Sequence, residues 1–180
     1  MEKKHFYFIR HGETVWNVEN KICGATDTEL TAKGHEQAIE TGKIILEQGI
    51  HADEILCSPL IRAYETARHI SEVTGIPFRA EQRLIEQNFG IYESTARDGR
   101  EFHDAKKHMA SRFKSGESML QVAQRIYNLI DKIKEQDKTY ILVAHNGIAR
   151  IVESYFNDMD NEAFSRFGID NCEIRRYDFE

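Results

Sequence analysis

The sequence predicts an α/β fold, a three-layer α/β/α sandwich with a mostly parallel central sheet, in a single domain spanning residues 1–180. Three observations predict it. Short apolar runs at residues 5–9, 55–57 and 140–144 have strand length and stand far apart in the chain. Segments of ten or more residues with helical apolar spacing fill the intervals between them. Each run is followed at once by polar chemistry: Arg10-His11, Ser58-Pro59 and His145. Ligands of open α/β sheets bind at the carboxyl ends of strands, so three separate segments point to one crevice.

Taken in order, residues 5–9 are aromatic and β-branched and read as a buried central strand, with Arg10, His11 and Gly12 at its C-terminal edge. Residues 13–30 are irregular and polar, a functional loop with room for a short helical turn near Trp16. Thr31 is an N-cap for a helix starting at Ala32, in which Ala38, Ile39, Gly42, Ile45 and Leu46 recur at helical spacing before the Gly49 stop. A strand at 55–57 ends in Ser58-Pro59. The helix from Leu60 to Val73 carries Ala63, Ala67 and Ile70 on one face and stops at Gly75. A weak strand is expected at 78–81. Residues 86–117 are polar and punctuated by Gly90, Gly99 and Gly116, with one helix expected from about Phe102 to Phe113. In 118–133, Leu120, Ala123, Ile126, Leu129, Ile130 and Ile133 mark a long amphipathic helix. The strand at 140–144 leads into His145, a helix over 148–156 and a last edge strand at 173–177.

Composition narrows the function. The chain is 41% hydrophobic and 30% charged, as soluble globular proteins are. No stretch approaches the ~18 consecutive apolar residues of a membrane span, and the N-terminus lacks the apolar core and cleavage site of a secretory peptide. Cys23, Cys57 and Cys172 are odd in number and widely spaced, which fits reduced thiols in the cytoplasm. A net charge of -6 argues against nonspecific nucleic-acid binding. A small anionic substrate stays compatible with it, because a local arginine cluster dominates the field of a pocket. His35-Glu36 begins an HExxH phrase, but Ile39 stands where the second histidine belongs. His103 and His108 are five apart and share no helical face, and neither a Walker phrase nor GxGxxG occurs. The sequence leaves the oligomeric state open.

A crevice holding Arg10, His11, Arg62 and His145 suits phosphoryl chemistry. Two guanidinium forks match phosphoryl oxygens. A neutral imidazole attacks phosphorus through one ring nitrogen when a hydrogen bond fixes the proton on the other. The second histidine donates to a nonbridging oxygen. A carboxylic acid must then protonate the leaving alcohol and later activate water. Glu13, Glu86 and Glu93 are all available for that role.

The run Arg10-His11-Gly12-Glu13-Thr14 followed by Trp16-Asn17 resembles the signature of the histidine phosphatase superfamily, the phosphoglycerate mutase-like family. Further stretches match it in order: Gly24-Ala25-Thr26-Asp27 with Leu30-Thr31-Ala32-Lys33-Gly34, then Ser58-Pro59-Leu60-Ile61-Arg62-Ala63. Leu84-Ile85-Glu86 with Phe89-Gly90 and Glu93 comes next, and Val143-Ala144-His145-Asn146-Gly147 with Arg150 closes the set. The resemblance implies that His11 is the phosphorylated nucleophile, that Arg10, Arg62 and His145 complete the phosphate pocket, that Asn17 adds a contact, and that Glu86 is the proton donor. It implies no metal and no organic cofactor. Two positions depart from the pattern. Asn146 stands where glycine is commoner, as a polar contact beside the pocket or a residue tolerating an unusual backbone angle, and Lys21 stands where arginine is commoner.

Three functions follow from the resemblance and the residues: a phosphomonoesterase acting on a small phosphorylated metabolite, a cofactor-dependent sugar-phosphate mutase, and a noncatalytic phospholigand-binding domain. The mutases of the resembling family are typically longer before the second histidine, which favours the phosphatase. Arg97, Arg100, His103, Lys106 and Lys107 suggest a second anionic feature on the substrate.

Overall fold

The computed structural model describes residues 3–180. Its centre is a five-stranded sheet built from β1 (His5–Arg10), β2 (Glu54–Cys57), β3 (Phe78–Ala80), β4 (Tyr140–Ala144) and β5 (Ile174–Asp178), in the order β3-β2-β4-β1-β5. The first four strands run parallel and β5 pairs antiparallel with β1, so the sheet is mixed but mostly parallel. Strands buried on both faces need apolar residues at every position. Accordingly, Phe6, Phe8, Tyr140 and Leu142 face one core, while Tyr7, Ile9, Ile141 and Val143 face the other.

Helices close both faces. On one side Ile45 of α2 (Ala32–Glu47) and Ala63, Ala67 and Ile70 of α3 (Ile61–Thr74) cover the sheet. On the other, Ile126, Leu129, Ile130 and Ile133 of α5 (Met119–Glu135), Ile148 and Val152 of α6 (Asn146–Phe156), and Phe164 of α7 (Asn161–Arg166) do so. The short α1 (Val15–Val18) and α4 (Arg100–Ala105) lie in the connections. Among the described residues no helix is long and apolar enough to cross a membrane.

The helix expected to reach Phe113 stops at Ala105, and α7 was not foreseen. Phe113 instead packs with Phe89, Phe102 and Ile22 in a separate aromatic cluster. To deliver its ring there the chain takes positive φ at Phe113, Lys114 and Ser115, a tertiary override of helix propensity. The helix expected from Ile148 begins two residues earlier, directly after His145.

Candidate active site

The carboxyl ends of β1, β2 and β4 converge, and the ladder continues past them: His11 N–H donates to Ala144 O (2.9 Å) and Ser58 N–H to Val143 O (3.0 Å). Beyond β1 the chain is pinned by Gly12 N–H donating to Thr66 Oγ1 (3.0 Å), and a Cβ on Gly12 would lie 2.4 Å from Gly34 O. Only glycine permits this approach of the loop to α2.

His11 is buried, and its Nδ1 lies 2.7 Å from Gly12 O. A carbonyl only accepts, so the proton sits on Nδ1 and Nε2 keeps its lone pair. Burial, with Arg62 and Arg10 nearby, pushes the His11 pKa well below the ordinary imidazole value, which keeps the ring neutral. His145 packs beside it, ring centroids 5.2 Å apart, and burial followed by Arg62 and His11 lowers its pKa likewise. Arg62 Nε donates to His145 Nδ1 (3.2 Å), which places the His145 proton on Nε2. That Nε2 and Arg10 Nε are buried with no hydrogen-bond partner among the described residues. Buried donors are almost always satisfied, so two orphans beside one neutral imidazole mark a place for an anion.

A crevice of about 90 Å³ opens here, lined by Arg10, His11, Asn17, Glu86, Asn146 and Gly147, with Arg97, Lys106 and Arg150 at its wall. The structure therefore gathers most residues singled out from sequence. Arg62 and His145 lie beneath the lining, fully buried. Arg62 spends its guanidinium on Gly24 O (2.6 Å), Thr26 O (2.9 Å) and His145 Nδ1, so its visible work is to orient His145 and the 24–26 loop.

The three candidate carboxylates separate cleanly. Glu86 lies at the crevice, its Oε2 accepting from Gly147 N–H (3.0 Å) and Oε1 from Gln87 N–H (2.9 Å). Glu93 accepts from the backbone N–H groups of Gly24, Ala25 and Phe89 and ties two loops together. Glu13 pairs with Lys33 and Thr31.

Asn17 completes a capping box with Thr14 and accepts from Asn171 Nδ2 (3.4 Å). Asn146 opens α6 with no positive φ, so the unusual-backbone reading of this residue is corrected; its Oδ1 accepts from Ile169 N–H (3.0 Å). Lys21 pairs with Glu19 (2.6 Å). Of the basic residues expected to meet a second anionic group, Arg97 and Lys106 reach the crevice wall, His103 and Lys107 line an adjoining cavity, and Arg100 lines neither.

Sequence reasoning missed the strap at residues 167–172. Its carbonyls accept from Arg150 Nε (Phe167 O, 2.7 Å) and Arg10 Nη1 (Ile169 O, 2.7 Å). Asn171 Nδ2 donates to His11 O (2.8 Å), and Cys172 N–H to Arg10 O (2.9 Å). Burial, then Arg97, pushes the Arg10 pKa down to about 10, and burial, then Arg150 and Arg97, pushes Lys106 down to about 8.

Known proteins resemble the chain in sequence and in fold. A protein of Escherichia fergusonii named probable phosphoglycerate mutase GpmB is 32% identical over 183 residues, covering 97% of this chain and 84% of the relative. The alpha-ribazole phosphatase of Shigella flexneri superposes with a TM-score of 0.80 at 28% identity, covering 98% of this chain and 91% of the other. A phosphoserine phosphatase of Entamoeba histolytica, in complex with 3-phosphoglyceric acid, gives 0.81 at 26% identity over 96% and 89%. The profile of the histidine phosphatase superfamily, branch 1, matches residues 6–180, and the chain belongs to that superfamily of enzymes.

Proposed function

We propose that the chain hydrolyses small phosphomonoesters by a metal-independent route through a phosphohistidine on His11. One observation carries the reading: a neutral, proton-fixed His11 stands beside two orphaned donors, Arg10 Nε and His145 Nε2. Nε2 of His11 attacks phosphorus while Arg10 and His145 hold the nonbridging oxygens. The P–O bond to the leaving group breaks, and the Glu86 carboxyl gives its proton to the departing oxygen. Glu86 then takes a proton from water, which attacks phosphorus and returns the bonding pair to Nε2. The balance is ester plus water to alcohol plus inorganic phosphate. Arg62 acts through His145, and Asn17 and Asn146 shape the rim. The free thiols of Cys23, Cys57 and Cys172 suit work in the cytoplasm.

Relatives named as phosphatases and as mutases share this framework, so the test must separate hydrolysis from phosphoryl migration. A phosphomonoester panel that includes 2- and 3-phosphoglycerate, turned over in EDTA, should release inorganic phosphate, and alkaline denaturation, which preserves the P–N bond that acid cleaves, should trap a phosphoenzyme in the wild type and none in His11→Ala. Turnover surviving in His11→Ala would end the proposal. Isomer exchange without phosphate release would make the chain a mutase.

A further inference from the structure

His35 failed as the start of a zinc motif within its own helix, but the fold supplies its partner from another one. His35 on α2 and His69 on α3 meet with Nδ1 and Nε2 2.8 Å apart, rings perpendicular. Glu65, one turn before His69, brings a carboxylate oxygen to the same point, and one ligand atom from each residue lies within 4.8 Å of the other two. We propose that His35, Glu65 and His69 form a binding site for a divalent cation of the Zn²⁺ class, clamping α2 to α3 outside the phosphate crevice.

The ligand chemistry is suitable: two imidazoles and a carboxylate, with water in the fourth position, is an ordinary tetrahedral set. Zn–N bonds of ~2.0–2.1 Å put tetrahedral nitrogens about 3.3 Å apart, so the two rings need open by only a few tenths of an ångström. The tautomers are nearly set. Glu72 Oε2 lies 3.6 Å from His69 Nδ1, too far for a hydrogen bond but near enough for its charge to favour the proton on that nitrogen, which leaves Nε2 as the ligand. Nε2 of His69 then accepts from His35 Nδ1, and metal entry moves that proton to the outer nitrogen of the His35 ring.

One group opposes the ion. Arg68 holds Glu65 through Nη2 (2.8 Å), and the same nitrogen stands 3.4 Å from His69 Nε2. It also pairs with Glu72, so it can release Glu65 without losing every partner. This competition supplies a signed test. A chance histidine pair gains nothing from removing Arg68, whereas a metal site loses a competing cation and frees a ligand.

The experiment uses tag-free chain stripped with EDTA, equilibrium dialysis against Zn²⁺, and Co²⁺ absorption as the geometric probe. One Zn²⁺ per chain is expected, with the intense visible Co²⁺ bands of tetrahedral coordination. His35→Ala and His69→Ala should each weaken binding by about tenfold or more. Arg68→Gln should tighten it by about tenfold. All three variants should keep wild-type phosphatase turnover, which certifies their fold. No stoichiometric binding by ~100 μM metal, unchanged affinity in both histidine variants, or weaker binding in Arg68→Gln would each overturn the site.

Discussion

Gly147 decides where the Glu86 carboxylate sits. Its N–H donates to Oε2 (3.0 Å), and a Cβ on it would lie 2.4 Å from Oε1, so no other residue permits the present contact. Its φ is not positive, and alanine suits the first turn of α6 at least as well as glycine does. Gly147→Ala should therefore fold normally while displacing the carboxylate. A shift of about 1 Å is enough to lower kcat by roughly 10²-fold. If Glu86 transfers the proton, kcat/KM, which reads the phosphorylation step and not the later attack of water that Glu86 also serves, should fall by a similar factor for alkyl phosphates and much less for p-nitrophenyl phosphate, whose leaving group needs no proton. Equal losses on both would remove Glu86 from the acid role. The resemblance selects Glu86 over Glu93, and the contrast between their partners supplies a physical reason for that choice. Both are glutamates in one matching stretch, and only the partners differ: three backbone N–H groups from two loops for Glu93, the mouth of the crevice for Glu86.

At the scale of elements, the strap at 167–172 fixes the site from behind, and Asn146 is its fastener through Ile169 N–H. Asn146→Gly, the residue commoner in the resembling family, leaves that N–H unsatisfied and should cost about 1–2 kcal/mol. Because Ile169 O also holds Arg10 Nη1, slackening the strap should raise KM several-fold with little change in kcat. Urea midpoints and steady-state kinetics on one preparation check both effects; an unchanged KM would show that the strap does not position Arg10. Nothing in the sequence announced this strap, since its work is done by backbone carbonyls, which any residue supplies. The strands β1, β2 and β4 were legible because double-sided burial demands uninterrupted apolar runs. The gathering of Arg10, His11 and His145 at one place was legible because strand ends locate a crevice. The 106–117 segment was not: its path follows from the Phe113 ring joining Phe89 and Phe102, a contact between residues that no local period records.

For the whole molecule, a net charge of -6 coexists with a crevice walled by Arg10, Arg97, Lys106 and Arg150, so the basic groups are concentrated where an anionic substrate enters. Arg97, Phe102, Lys106 and Arg150 also line an adjoining cavity of about 870 Å³, with Met109 and Phe164 supplying apolar wall. A cavity of that size takes an organic group far larger than the phosphoryl. Substrates whose alcohol portion carries an anionic group should therefore be preferred, and the preference should depend on pH through Lys106. Its ammonium is charged below about 8 and neutral above. The phosphate ester completes its own ionisation near pH 6, so a change near 8 does not come from the substrate. The ratio of kcat/KM for doubly to singly anionic substrates should fall by about tenfold as pH rises from 7 to 9, the worth of one charged hydrogen bond. In Lys106→Met the ratio should already be low at pH 7 and stay flat. A ratio constant through pH 8 in the wild type, or the same break in the variant, would assign the second charge to another group.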